Sequence, residues 1–252
     1  MKIREFGRGN PETIILLHGG GLSWWNYQAE AELLRSDYHI VLPILDGHAD
    51  SDMPFTSIED NAAELIAFID ENYGGSVQLI GGLSLGAQVL LEALAQRSDL
   101  CRYALVESAS VIPSRLTKAL IGPAFGSSYG LIQNKRFARL QFRSLHMPEH
   151  LFEAYYRDTC KIAKSDMIAF LRASASYALK ASVANTAARV CVLAGGKENG
   201  GILRSVEAIK RGIPGCTASV LPGLYHGELS LNYPERYVDS LRTMIDGEQT
   251  SV

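Results

Sequence analysis

No stretch of this 252-residue chain approaches the ~20 apolar residues in a row that a membrane-spanning helix needs. The N-terminal segment MKIREFGRGNPE turns polar at once and lacks the apolar core of a signal peptide. Cysteine is scarce: Cys101, Cys160, Cys191 and Cys216 lie far apart, with no CxxC pair. That spacing argues against a zinc site and a disulfide framework, and for free thiols in a reducing cytoplasm. An excess of positive charge is also missing, since 24 basic residues face 27 acidic ones for a net charge of −3. There is thus no strong basic field to hold nucleic acid or an anionic membrane.

What is present is an ordinary globular composition, 47% hydrophobic and 20% charged. At ~150 residues per domain the length suits one large domain or two small ones. Short, nearly continuous apolar runs recur at Glu12–Leu17, His39–Pro43, Val77–Gly81, Tyr103–Val106, Val190–Ala194 and Ala218–Leu221. Bounded by Gly, Asp, Ser and Pro, they read as strands buried on both faces of a mostly parallel sheet. Helical patterns lie between them, at Ile58–Glu71, Ala87–Gln96, Leu203–Arg211 and Glu235–Ile245. Ser57 and Asp60 resemble a capping box at the first of these, with Asp in place of Glu. Strand alternating with helix predicts a doubly wound α/β fold.

One region breaks the alternation. Residues 113–188 hold no good strand candidate and read as helices at Pro113–Leu120, Leu131–Leu145, Pro148–Lys161 and Asp166–Tyr177. A helical insertion between two strands predicts a lid, which divides the chain into a core of residues 1–112 and 189–252 and a cap of residues 113–188.

The strongest chemical signal is Gly82-Leu83-Ser84-Leu85-Gly86, between the strand ending at Gly81 and the helix starting at Ala87. G-x-S-x-G in a strand–turn–helix context holds its serine at a strained, exposed position. Glycines on both sides let strand and helix approach where a Cβ would clash. Outside that context the same five residues are a plain turn. A serine hydroxyl needs a base, and six histidines are available. His146 and His150, among polar neighbours in the insertion, read as solvated surface. His39 opens a strand and reads as structural. His48, in the polar loop Asp46-Gly47-His48-Ala49-Asp50-Ser51-Asp52, reads as ordering that loop. His226, in the loop between the last strand and the last helix, is the candidate base.

The acid is expected between serine and histidine in chain order. Glu198 is the one acid in the loop Gly195-Gly196-Lys197-Glu198-Asn199 and is favoured. Glu107, which ends the strand Tyr103–Val106, stays open as the alternative. An oxyanion needs two N–H donors: Leu85, next after the serine, is one. Gly20 of His18-Gly19-Gly20-Gly21 is the choice for the second, with Gly21 close behind.

These pieces resemble the α/β-hydrolase superfamily in its single-domain, lid-bearing branch. His18–Gly21, Asp46–Asp52, Gly82–Gly86, Gly195–Glu198 and Pro222–Gly227 run in the family's order across nearly the whole chain. The resemblance implies an eight-stranded, mostly parallel sheet, a helical cap after the sixth strand, and a serine mechanism without metal or organic cofactor. The chain departs from the family in three ways. The acid is Glu198, where Asp is commoner. The D-x-x-G-H-G-x-S element is altered, with Asp46 directly before Gly47 and Ala49 in place of a glycine. The cap carries no known substrate signature.

The expectation is a serine hydrolase that takes a small-molecule acyl substrate, a carboxylic ester or thioester. The alternatives are a ligand-sensing protein of this fold with slow or no turnover, or a C–C bond hydrolase, amidase or acyltransferase with the same triad. Gly21, Trp24 and Trp25 beside the glycine loop, and Phe125, Tyr129 and Tyr177 in the insertion, are candidate pocket residues, with core packing an equal reading for those of the insertion.

Overall fold

The computed structural model describes residues 1–247, apart from the side chains of residues 125–128. The predicted apolar runs form six parallel strands: β2 (Thr13–Leu17), β3 (His39–Ile44), β4 (Val77–Leu83), β5 (Cys101–Glu107), β6 (Arg189–Gly195) and β7 (Thr217–Leu221). An antiparallel edge strand, β1 (Lys2–Phe6), pairs Lys2 with Ile44 and Phe6 with Ile40. The sheet order is β1-β3-β2-β4-β5-β6-β7. The described residues thus build seven strands rather than eight, because a single antiparallel strand flanks the parallel block. β1 carries no apolar run that would announce it: its side chains are all exposed or half-buried, as an edge strand permits.

Side chains alternate across the sheet, so each strand feeds two cores. Ile15, Leu17, Val41, Ile80, Ala104 and Val106 face α2 (Ile58–Tyr73), α3 (Leu85–Gln96) and α8 (Gly200–Gly212). Ile14, Leu16, Leu42, Leu79, Tyr103 and Leu105 face α1 (Gln28–Leu34) and α10 (Pro234–Asp246). Each Val, Leu or Ile among them, fully buried, contributes about 1.5–3 kcal/mol of apolar transfer. α2 begins as its sequence predicts: the Ser57 side chain accepts the Asp60 N–H at 2.9 Å, and Gly74 at φ +64° ends the helix. Nothing in the residue pattern announces α1 or α9 (Glu228–Asn232), which are too short for a helical period to show.

The segment between β5 and β6 has helices joined by loops and no strand among its described residues, and contains α4 (Arg115–Ser128), α5 (Lys135–Ser144), α6 (Phe152–Thr159) and α7 (Lys164–Ser176). The run read as one helix over Leu131–Leu145 is broken at Asn134. Its side chain accepts the Arg136 and Phe137 amides and starts α5 afresh. No described helix is long and apolar enough to cross a membrane.

The chain order reverses at β2. From β2 it winds outward to β3, then returns to place β4 on the other side. The loops leaving β2 and β4 therefore diverge and open a crevice at the carboxyl ends, the usual ligand position in open α/β sheets. Ser84 and the His18–Gly21 loop both stand there.

Candidate active site

Ser84 links β4 to α3 with φ +53° and ψ −107°, a backbone conformation few non-glycine residues adopt. Its N–H donates to the Glu107 carbonyl at 2.9 Å, which ties the strained turn to the end of β5. The flanking glycines are required by contact. A Cβ on Gly86 would sit 2.2 Å from the Leu17 carbonyl oxygen, and one on Gly82 would sit 2.6 Å from the Gly86 carbonyl carbon.

The loops after β6 and β7 are bound to each other. The Gly196 N–H donates to the Leu221 carbonyl at 2.7 Å, and the Lys197 N–H to the Leu224 carbonyl at 2.9 Å. This brings Glu198 to His226: Nδ1 of His226 lies 2.7 Å from Glu198 Oε2, and its Nε2 lies 3.0 Å from Ser84 Oγ. The Glu198 side chain is fully buried, while His226 is 46% exposed. Burial alone would raise the Glu198 carboxyl. The His226 hydrogen bond and charge, the Ser108 hydroxyl and the Gly195 N–H at 3.4 Å outweigh it and hold the group below its usual range. An ionised Glu198 accepts from Nδ1–H, so Nε2 turns its lone pair to the serine hydroxyl.

Ser108 is a site residue that the sequence did not reveal. It follows β5 at φ +56°, donates its hydroxyl to Glu198 Oε1 and accepts the Gly227 N–H at 3.4 Å. It belongs to no motif; only the run of small residues after β5 hints at a tight turn.

Glu107, the alternative acid, lies elsewhere. Its Oε1 accepts the Ser230 N–H at 3.3 Å, and burial pushes its carboxyl up to about 7. It sits beside Tyr27 and Tyr237, whose hydroxyls are 3.5 Å apart.

In the glycine loop two amides are already committed. The Gly19 N–H donates to Asn26 Oδ1 at 3.2 Å and the Gly21 N–H to His48 Nε2 at 3.0 Å. Gly20 is left between them. On the facing side, Leu85 opens α3, where the first amides of a helix have no intrahelical acceptor. His48 orders its loop as expected, because its Nδ1 donates to the Asp46 carbonyl at 3.0 Å. His18 does the same work one layer below, donating to the Gly19 carbonyl at 2.9 Å and accepting the Leu45 N–H at 3.1 Å. Burial, with the neighbouring His48 ring, brings His18 down to about 3, and burial brings His48 down to about 4. Both rings are neutral, with one nitrogen free to accept a backbone amide. His39 is structural, paired with Glu5 at 3.0 Å.

A cavity of about 240 Å³ opens beside Ser84. Its walls include Gly20, Leu22, Leu83 and Leu231 from the core and Leu145, His146 and Met147 from the helical segment. Of the candidate pocket residues, Gly21, Trp24, Trp25, Tyr129 and Tyr177 are not among its described lining. The Gly21 amide turns to His48. Trp24 packs under Arg4 at 5.5 Å. Trp25 is buried, its indole donating to Asp158 at 2.8 Å. Tyr129 donates to the Ile162 carbonyl, and Tyr177 is buried near Glu92. They serve the packing of core and insertion. Phe125 lies outside the described side chains. His146, read as solvated surface, is exposed and also stacks on Tyr225 at 3.8 Å and 7°. The described residues contain no group of three or more His, Cys, Asp or Glu placed to hold a metal ion.

Fold and site together define a doubly wound α/β protein with serine, histidine and carboxylate in line at the switch point. The chain belongs to the alpha/beta hydrolase family, whose model matches residues 14–240. Its fold is similar to that of an esterase from Thermogutta terrifontis, at TM-score 0.79 and 18% identity over 99% of this chain and 94% of that one. An alpha/beta hydrolase family protein from Desulfitobacterium hafniense matches at TM-score 0.79 and 24% identity, over 97% of this chain and 100% of that one. A serine hydrolase from Cycloclasticus zankles matches at TM-score 0.79 and 16% identity, over 99% and 95%.

Proposed function

We propose that this chain is a serine hydrolase that cleaves a small carboxylic ester or thioester through an acyl-enzyme on Ser84. The observation that carries this reading is the unbroken line from Ser84 Oγ, 3.0 Å to His226 Nε2, and from His226 Nδ1, 2.7 Å to Glu198 Oε2. Ser84 attacks the acyl carbon while His226 takes its proton. The carbonyl oxygen becomes an oxyanion, and the Leu85 and Gly20 amides hold it. His226 then returns the proton to the departing alcohol or thiol. Water attacks the acyl-enzyme with His226 again as base, which frees the acid and restores Ser84. Glu198 keeps the imidazole in the required tautomer and stabilises its cation.

Residues 113–188 act as the cap in this reading. Ser144, Leu145, His146 and Met147 line the cavity, and the Phe170 ring lies against Gly20 and stacks on His48 at 4.6 Å. The apolar wall and small volume favour a short acyl group.

A fluorophosphonate probe tests the assignment. Wild-type protein is expected to be labelled at Ser84, and Ser84→Ala to be spared. Labelling at another residue, or equal labelling of the variant, would defeat the reading.

A further inference from the structure

The lining of the cavity holds a charge that the hydrolytic steps do not use. Among the described lining residues Lys197 is the one fixed cation, and it forms no ion pair with a carboxylate. Glu198 is the one acid of the lining, and both its oxygens are engaged by His226, Ser108 and Gly195. The Lys197 charge is therefore uncompensated beside the reacting serine, in a chain whose net charge is −3.

The ammonium is also held in place. The Lys197 backbone is pinned to Leu224 at 2.9 Å, and Nζ lies 4.7 Å from the centroid of the Tyr225 ring. Tyr225 is fixed in turn. Its N–H donates to Glu228 Oε2 at 2.7 Å, and the His146 ring is stacked on it at 3.8 Å. A lysine held this way loses less side-chain freedom on binding than one in free solution. At about 240 Å³ the cavity is smaller than most ligand sites, and Ser84 and Lys197 both line it.

We propose that the physiological substrate carries a carboxylate, bound by Lys197 at the rim of the cavity while Ser84 attacks the ester. A single ammonium without an arginine fork suits one negative charge better than a phosphate dianion. This inference rests on the ester-hydrolase reading above.

Two substrate pairs locate the charge. Monomethyl glutarate against methyl butyrate places a carboxylate on the acyl side, and 4-acetoxybenzoate against phenyl acetate places it on the leaving group. The quantity read is the ratio of kcat/KM within each pair, for wild type, Lys197→Met and Lys197→Arg. Wild type is expected to prefer the charged member of one pair. Lys197→Met should cut that preference roughly tenfold through KM, Lys197→Arg should retain most of it, and added salt should weaken it. No preference in either pair, or a preference that survives Lys197→Met, overturns the proposal. So does failure to turn over either charged ester by protein that a fluorophosphonate labels at Ser84. Absence of both turnover and labelling would instead remove the hydrolase reading, and this inference with it.

Discussion

Ser84 and Ser108 stand at the ends of neighbouring strands, both at positive φ, +53° and +56°. One turns its hydroxyl toward His226, the other toward Glu198. Ser84 announces itself through its glycines, whereas Ser108 has no such frame. Ser108→Ala should lower kcat roughly ten- to hundredfold, the size of one hydrogen bond to a charged group, with little loss of thermal stability. The two glutamates divide on the same physics. Sequence alone placed both after core strands, and residue type could not separate them; only side-chain direction does. Glu198→Gln should cost orders of magnitude in kcat because it favours the wrong histidine tautomer, while Glu107→Gln should stay active. Glu107 makes a further prediction through its raised carboxyl. The folded chain holds that proton up to about 7, so the group favours folding at low pH and the benefit is lost as pH rises through that value. The melting temperature of Glu107→Gln should therefore gain on wild type by several degrees between pH 5 and pH 9.

At the scale of elements, the site is held by close approaches between turns. α3 starts so near the end of β2 that Gly86 has no room for a methyl group. Gly86→Ala should destabilise the fold and abolish activity together, read by melting temperature and fluorophosphonate labelling. From the helical segment, Phe170 of α7 is 2% exposed and packs across Gly20 and His48. Phe170→Ala should cost about 3–5 kcal/mol of stability and reduce turnover by loosening the glycine loop. The buried strands were legible because continuous apolar runs need two covered faces. β1, α1 and α9 were not: an edge strand keeps a wet face, and helices of two turns or fewer show no period. The tryptophans and tyrosines offered as pocket walls illustrate another limit. Aromatic residues near a motif fill cores as readily as cavities, and nothing in Trp24-Trp25 states that Trp25 points at Asp158.

For the whole molecule, chain order sets the position of the site. The reversal of winding at β2 opens the crevice, and four loops, the outermost about 200 residues apart in sequence, deliver their groups into it. That organisation was readable because each loop follows a strand and carries its own signature. The cavity was not, because its walls come from β4, α9, the loops after β2, β6 and β7, and the helical segment, which meet only in three dimensions. Structures of similar fold at 14–24% identity share the frame. The most direct test of the central claim follows p-nitrophenol release from p-nitrophenyl acetate by wild type and Ser84→Ala side by side. Wild type is expected to turn over continuously, and the substitution to reduce kcat on the order of 10⁴- to 10⁶-fold. A single stoichiometric burst from wild type, or undiminished hydrolysis by Ser84→Ala, would contradict that claim.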